Sequence, residues 1–363
     1  MDYTSRLRNL AMALKVCNRD YSNKLVYDMF NNNKKEYSGD KNNFSLNTRK
    51  MIEYLSSKKG TVLMDYTHVS HDMKILDKPY NLIFNHASGK SEPCLVILFI
   101  VLLVDNEIYP INTEFWISES MMFDDEIYRK KTEIAENVIE ELTNKGMVID
   151  RVLFDAGFNV PDFISFLNRK QIEFTARISK TKKMDNGNTI KELFSDKLNG
   201  EFYYYHKYGF TNYVDVEYAG TLSRLVVICD TATKLKDRDF YCILSSSLDI
   251  SYTETIRIYS LRCKIETFFR NLKSYIGLSS PRNHNEDKIT SHINFCLAMH
   301  LLVQHISKKK KLTFHKALIF IKREPMSKII REFSSYWKQI AEMFVFPTFE
   351  ELTMDLRFAI LAS

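Results

Sequence analysis

The hydrophobic positions divide the chain into three textures. Residues 1–31 read as helical, with Leu7, Leu10, Met12, Leu14 and Val16 set among Arg6, Arg8, Lys15 and Arg19. Residues 31–43 are polar and read as a linker or surface loop, and a short helix over 46–56 is expected to stop near Gly60. Then short apolar runs alternate with helical ones. A strand over 61–64 runs into Asp65, and strands follow at 94–104 and 107–117. A long amphipathic helix over 124–144 carries Ile127, Ile134, Val138 and Leu142 on one side. A strand over 148–154 ends at Asp155, a helix over 161–168 starts with proline in its first turn, and a strand covers 173–178.

Residues 180–253 differ. Short β-like runs at 201–205, 213–218, 225–229 and 240–244 are separated by turn formers such as Asp185-Asn186-Gly187-Asn188, Gly209 and Gly220. From Thr253 the pattern is helical to the end, interrupted at 282–286 and by Pro325 and Pro347. The mixed centre predicts an α/β core. We divide the chain into a helical region at 1–50, an α/β domain at 51–180 plus 254–310, a β-rich insertion at 181–253, and a helical C-terminal region at 311–363.

Charge sharpens this picture. The net charge is +6, but residues 1–60 hold 12 Lys/Arg against 6 Asp/Glu, residues 61–250 hold 21 against 29, and residues 251–330 hold 15 against 5. Two basic segments flanking an acidic middle suit a polyanion gripped from both sides, with carboxylates gathered between. A solvated basic face gives the same totals. The longest apolar run, 94–104, is eleven residues, too short to span a bilayer as a helix. The first ten residues carry Asp2, Arg6 and Arg8 and lack the apolar stretch of a signal peptide. The six cysteines show no CxxC pair and read as reduced thiols. A cytoplasmic protein without membrane association is expected.

Two acids directly follow apolar runs: Asp65 after Thr-Val-Leu-Met, and Asp155 after Val-Leu-Phe. Carboxylates held at strand ends can fix a metal-ligand geometry, although an Asp closing a strand is commonly a turn residue. A third feature lies at 259–273, YSLRCKIETFFRNLK. On one continuous helix Tyr259, Arg262, Glu266 and Lys273 would fall within ~60° of each other, beside an apolar side of Ile258, Leu261, Ile265, Phe268 and Leu272. An ordinary surface helix with an Arg262–Glu266 ion pair fits the same spacing. Three carboxylates from distant points, with cations beside them, suit two-metal phosphoryl transfer on DNA: hard oxygens for Mg²⁺, and Arg and Lys for phosphates.

The run Tyr259-x2-Arg262-x3-Glu266-x6-Lys273 resembles, without gaps, the Y-R-E-K signature of a group of bacterial insertion-sequence transposases with a DDE site. The block Phe154-Asp155-Ala156-Gly157-Phe158 and the run Val62-Leu63-Met64-Asp65-Tyr66-Thr67 resemble that group's two Asp motifs, and residues 292–302 resemble the segment after its glutamate. The resemblance covers roughly residues 55–305. It implies a ribonuclease-H-like mixed sheet with a β-rich insertion between the second Asp and the Glu, flanked by helical N- and C-terminal regions. It implies a catalytic, metal-binding triad of Asp65, Asp155 and Glu266, with Mg²⁺ as cofactor and Mn²⁺ able to substitute. Tyr259, Arg262 and Lys273 would hold the DNA. The implied reaction is hydrolytic nicking at transposon ends, then strand transfer of the 3′-hydroxyl. The implied partners are double-stranded DNA at terminal inverted repeats and target DNA; because two ends must be cut together in this chemistry, a homodimer is expected in the synaptic complex, on the nucleoid.

The insertion departs from the group in having no tryptophan, since the two tryptophans are Trp116 and Trp337. Phe202, Tyr203, Tyr204, Tyr205 and Tyr208 lie there instead. Stacking on a base is one reading of them, and a packed aromatic strand is the other. His68 and His71 read as polar neighbours of Asp65, the Lys308–Lys311 run as a solvated helix end, and residues 1–50 as the region that recognises the element's ends. A catalytically silent DNA-binding protein and a structure-selective nuclease on the same fold are the alternatives.

Overall fold

The structure is a computed structural model. It describes residues 45–46, 51, 54–55, 58–70, 80–85, 89–122, 127–197, 203–205, 209–229, 240–279, 286–325, 328–329, 331–333, 336 and 344–345. The end-recognition region expected at 1–50 lies outside the described residues except for Ser45 and Leu46. There the chain forms strand β1 (Ser45–Leu46), which pairs antiparallel with β12 (Phe344–Val345). His71, Phe202 and Tyr208 are also outside the described residues.

One mixed sheet organises the rest. Its strands are β2 (Gly60–Ser70), β3 (Tyr80–Asn85), β4 (Lys90–Val104), β5 (Glu107–Phe115), β6 (Ile149–Phe154), β7 (Glu173–Ile178), β8 (Tyr203–Tyr205), β9 (Gly209–Tyr218), β10 (Thr221–Cys229) and β11 (Tyr241–Ser245). The order across the sheet is β3-β4-β2-β6-β7-β11-β10-β9-β8, with β5 also paired to β4. Strands β2, β6 and β7 run parallel, and every other pairing is antiparallel. The strands of 181–253 therefore add onto β7 as an extension of the central sheet. The continuity comes from register: Ile178, Arg177, Ala176 and Thr175 pair with Cys242, Ile243, Leu244 and Ser245.

Strand β4 carries the core. Every residue from Cys94 to Val104 is buried, and because successive side chains point to opposite faces, both faces are covered. The helices that cover the sheet are α1 (Lys131–Asn144), α2 (Pro161–Arg169), α4 (Tyr252–Ser260), α5 (Cys263–Asn271) and α6 (Glu286–Lys309), with α3 (Ile190–Lys197) and α7 (Phe314–Arg323) beside them. Phe99 of β4 meets Phe268 and Phe269 of α5 at ring-centroid distances of 5.7 and 5.2 Å. Helix α6 is buried around most of its circumference, including Ile293, Cys296, Leu297, Met299, Leu302 and Ile306, as expected of a helix inside a core. Gln304 of α6 donates to the carbonyl of Ile108 and accepts from its N–H, which joins α6 to the start of β5.

Three features depart from the sequence expectations. Asp65 does not end its strand. The parallel pairing of β2 with β6 stops at Leu63 and Leu153, but the antiparallel pairing with β4 continues to Ser70. Helix α1 begins at Lys131, not 124, because Lys130 is extended (φ −66°, ψ 150°) and its N–H is taken by the Glu133 carboxylate at 2.9 Å. Strand β3 was not anticipated; it pairs with residues 90–95 of β4, end to end with β5. The lysine run is a solvated helix end, as expected: Lys308, Lys309 and Lys311 are exposed, with surface ion pairs from Lys308 to Glu107 and from Lys309 and Lys310 to Glu332.

Candidate active site

The parallel ladder between β2 and β6 is the frame of the site. Asp155 is the first residue after β6, and Asp65 lies two residues past the last β2–β6 pair. The two acids therefore sit side by side where the ladder stops, on strands fixed by a buried core. Past Asp155 the chain makes a single 3₁₀ turn, Ala156–Phe158, closed by the Phe158 N–H on the Asp155 carbonyl at 3.0 Å. Phe158 is fully buried and fastens the turn to the core.

Glu266 arrives from α5. The expected single helix over 259–273 is in fact three pieces: α4, α5, and a π-turn at Leu272–Ile276. Between α4 and α5 the backbone bonds reach three residues back, with Leu261, Arg262, Lys264 and Ile265 N–H groups bonding Ile258, Tyr259, Leu261 and Arg262 carbonyls. The continuous α-helix that the spacing assumed is broken there, and the four signature residues have different surroundings.

Their places differ accordingly. Tyr259 is 6% exposed and packs with Val226, Ile243 and Ile256 against the sheet. Arg262 turns into the space among the three acids. Its Nη2 donates to Asp65 Oδ2 at 2.8 Å and lies 3.6 Å from Asp155 Oδ2, while Nη1 donates to Glu266 Oε1 at 2.5 Å. Lys273 reaches back to β2, its ammonium donating to the His68 carbonyl at 2.6 Å. The structure thus brings together Asp65, Asp155, Glu266 and Arg262, sets Lys273 farther along β2 at His68, and buries Tyr259 against the sheet.

The electrostatics follow from burial. Burial raises the Asp65 carboxyl to about 6, against the lowering effect of Arg262 and of the Tyr66 N–H that donates to Oδ1 at 2.9 Å. Burial works against the Arg262 charge, but Asp65 and the other acids around it more than offset this and raise its pKa. Burial lowers the Lys273 ammonium. Among the described residues no three acid, imidazole or thiol groups stand close enough to chelate one ion as they are arranged. The three carboxylates are spaced around a guanidinium instead.

Side chains that the sequence reading did not single out also border the site. Tyr66 follows Asp65, and its ring lies over the backbone of Gly157, where a Cβ would sit 3.7 Å away. Trp116, just after β5, is held by its own N–H on the Val96 carbonyl at 2.9 Å and by Asn81 Nδ2 on its carbonyl at 2.7 Å. Lys131 sits between these two rings, its Nζ 3.7 Å from the Tyr66 centroid and 4.1 Å from that of Trp116. The only signal in sequence was the adjacency of Tyr66 to Asp65. Of the insertion's aromatics, Tyr204 is 64% exposed, with its ring 5.2 Å from that of Phe210.

Residues 129–302 match the family model of the transposase DDE domain. The matched segment holds Asp155, Arg262, Glu266 and Lys273. Asp65 lies outside the match and is tied to the others by its bond to Arg262. A comparison with curated proteins gives no match. Among solved structures, the piggyBac transposase in a synaptic complex with hairpin DNA is similar at a TM-score of 0.45 and 12% identity, over 79% of this chain and 57% of that one. The Drosophila P element transposase in a strand transfer complex is similar at a TM-score of 0.21 and 10% identity, over 97% of this chain and 85% of that one. No helix among the described residues is long and apolar enough to cross a membrane.

Proposed function

We propose that this chain is a DNA transposase of the insertion-sequence group with the Y-R-E-K signature, built on a ribonuclease-H-like domain, and that Asp65, Asp155 and Glu266 are its catalytic triad. The observation that carries this reading is the meeting of three carboxylates, from two strands and a helix, on one guanidinium within 2.5–3.6 Å. Like charges gathered in a partly buried pocket are unfavourable without a cation, so a fold that gathers them has a cation-dependent use for them.

The donor set fits a hard divalent ion. All three acids offer carboxylate oxygens, and Asp155 Oδ1 is buried without a hydrogen-bond partner, a position that a cation would satisfy. Mg²⁺ or Mn²⁺ held by the triad would supply charge stabilisation for phosphoryl transfer. Arg262 competes for the same oxygens, and once it is turned out of the triad its planar fork is suited to a backbone phosphate. Lys273 holds its charge on β2 at His68, three residues along the strand from Asp65. Tyr259 contributes to the grip on the DNA end by supporting the turn that aims Arg262. The reaction is nicking at the element end followed by attack of the freed 3′-hydroxyl on target DNA. Two ends must be cut together, so the working unit on DNA is at least a dimer, acting in the cytoplasm on the nucleoid.

The test is cleavage of a labelled duplex carrying the DNA that flanks the coding sequence, in Mg²⁺ or Mn²⁺, by wild type and Glu266→Ala. A metal-dependent nick at the end that disappears in the variant supports the reading. End binding without any nick from wild type would replace it with a silent DNA-binding protein.

A further inference from the structure

We propose that Lys131 is a further phosphate-contacting residue of this site, held ready beside the triad by the ring faces of Tyr66 and Trp116. The inference rests on the DNA reading above. It begins with three consecutive cations that meet different fates. Arg129 pairs with Glu114 at 3.2 Å, Lys130 is exposed, and Lys131, the first residue of α1, turns between two aromatic faces.

The placement is built rather than incidental. Trp116 sits at the seam where β5 gives way to β3 along the edge of β4, and its main chain is bonded on both sides, to Val96 and to Asn81. Tyr66 belongs to β2 and is adjacent to Asp65 in sequence. One ring on a strand and one on a main chain bonded to two strands thus fix an ammonium on a flexible stem, which reduces the ordering required when a ligand arrives.

The ammonium is also unspent. Ring faces attract a cation but provide no strong acceptor for its N–H groups. Among the described residues Lys131 makes no hydrogen bond or ion pair, although the charge of Asp65 is close enough to act on it. The counter-ion role for Asp65 is already filled by Arg262 at 2.8 Å. Lys131 and Lys273 both bear on His68, whose imidazole is lowered by burial and then by these two lysines. A positive rim therefore borders the acidic triad along β2. A compact point charge at such a rim suits a single phosphodiester oxygen, which a lysine can reach without a fixed fork geometry.

The test uses the full chain and a fluorescein-labelled duplex of about 40 bp carrying the flanking DNA, in Ca²⁺ to hold back cleavage, with anisotropy read over a KCl series. Lys131→Met keeps the stem between the rings, with sulfur–aromatic contact in place of the charge. We expect its slope of log affinity against log salt to be shallower by about 0.9, and its affinity near 0.15 M KCl to fall about fivefold. Lys131→Arg should retain the wild-type slope. A purely structural lysine would lower the melting temperature of Lys131→Met and leave the slope unchanged, and that result overturns the proposal while leaving the DNA reading intact. Wild type with no salt-sensitive binding at all would overturn the DNA reading and the proposal with it. Should Lys131→Met fail to fold, Lys131→Gln carries the same comparison.

Discussion

Arg262 and Asp65 lie 197 positions apart in the chain, yet Nη2 of one is 2.8 Å from Oδ2 of the other, and both side chains are only 12% exposed. The pair joins the helical half of the site to the sheet half. It also places a permanent cation on oxygens that a divalent ion would need. Replacing Arg262 with Gln should therefore act in two directions. Without added metal the variant should lose about 3 kcal/mol of stability, because buried carboxylates lose their counter-charge. Mn²⁺ affinity measured by calorimetry should tighten on the order of tenfold, about 1.4 kcal/mol. Affinity no tighter than wild type would mean that guanidinium and ion use different oxygens.

The raised pKa of Asp65 makes a pH prediction with a definite sign. Its carboxyl moves from an ordinary 3.8 to about 6 in the folded protein, chiefly by burial. The folded state then holds its proton more tightly than the unfolded chain, so stability from this group is full below pH 3.8 and is lost as pH rises to about 6. Asp65→Asn, which mimics the neutral form, should be more stable than wild type at pH 7.5 in EDTA, by roughly 2–3 kcal/mol. The difference should shrink toward pH 4. Equal melting curves at both pH values would show that Arg262 compensates the burial of this charge fully.

Tyr259 offers a separation of support from contact. Its ring is buried among Val226, Ile243 and Ile256, and stands 5.8 Å from that of Tyr241. Tyr259→Phe should leave the salt slope of DNA binding unchanged, because only a hydroxyl is removed. Tyr259→Ala should cost about 3–5 kcal/mol in stability through the cavity it leaves. A shallower salt slope for Tyr259→Phe, measured by the same anisotropy titration, would instead put the phenol on the DNA.

What could be read from sequence was local. Strand β6, the turn after Asp155 and helix α2 follow one another within a few residues, and their apolar runs and proline state them directly. Glu266 and Arg262 were visible as a polar stripe beside Ile265, Phe268 and Leu272. What escaped depended on distant partners. The strand through Asp65 continues because β4 pairs with it as far as Ser70, and no pattern within 61–70 specifies that. The break between α4 and α5 is likewise not marked in the hydrophobic periodicity of 252–273. The seat of Lys131 needs Tyr66 from β2 and Trp116 from the end of β5, so it exists only once the sheet is assembled.

Two histidines of α6 supply a last prediction, away from the site. His292 lies against the Gly277 carbonyl at 3.1 Å, and His300 packs edge-on to Phe268 and stacked on Phe314, with ring centroids 4.8 and 4.9 Å away. Burial lowers the first to about 4 and the second to about 3. Here the folded pKa lies below the unfolded value, so their contribution is present above pH 6.5 and is lost as pH falls toward those values. Each should cost about 1.4 kcal/mol of stability per pH unit below 6.5. His300→Leu keeps a side chain of similar size in apolar surroundings and removes one titrating group. Urea unfolding from pH 6.5 to 4 should then show a pH dependence shallower than wild type by about that amount per unit. The opposing effect of Asp65 is common to both proteins and cancels in the difference. Parallel curves would mean that the imidazole of His300 reaches water in the folded protein, and that the α5–α6–α7 contact is looser than its ring packing indicates.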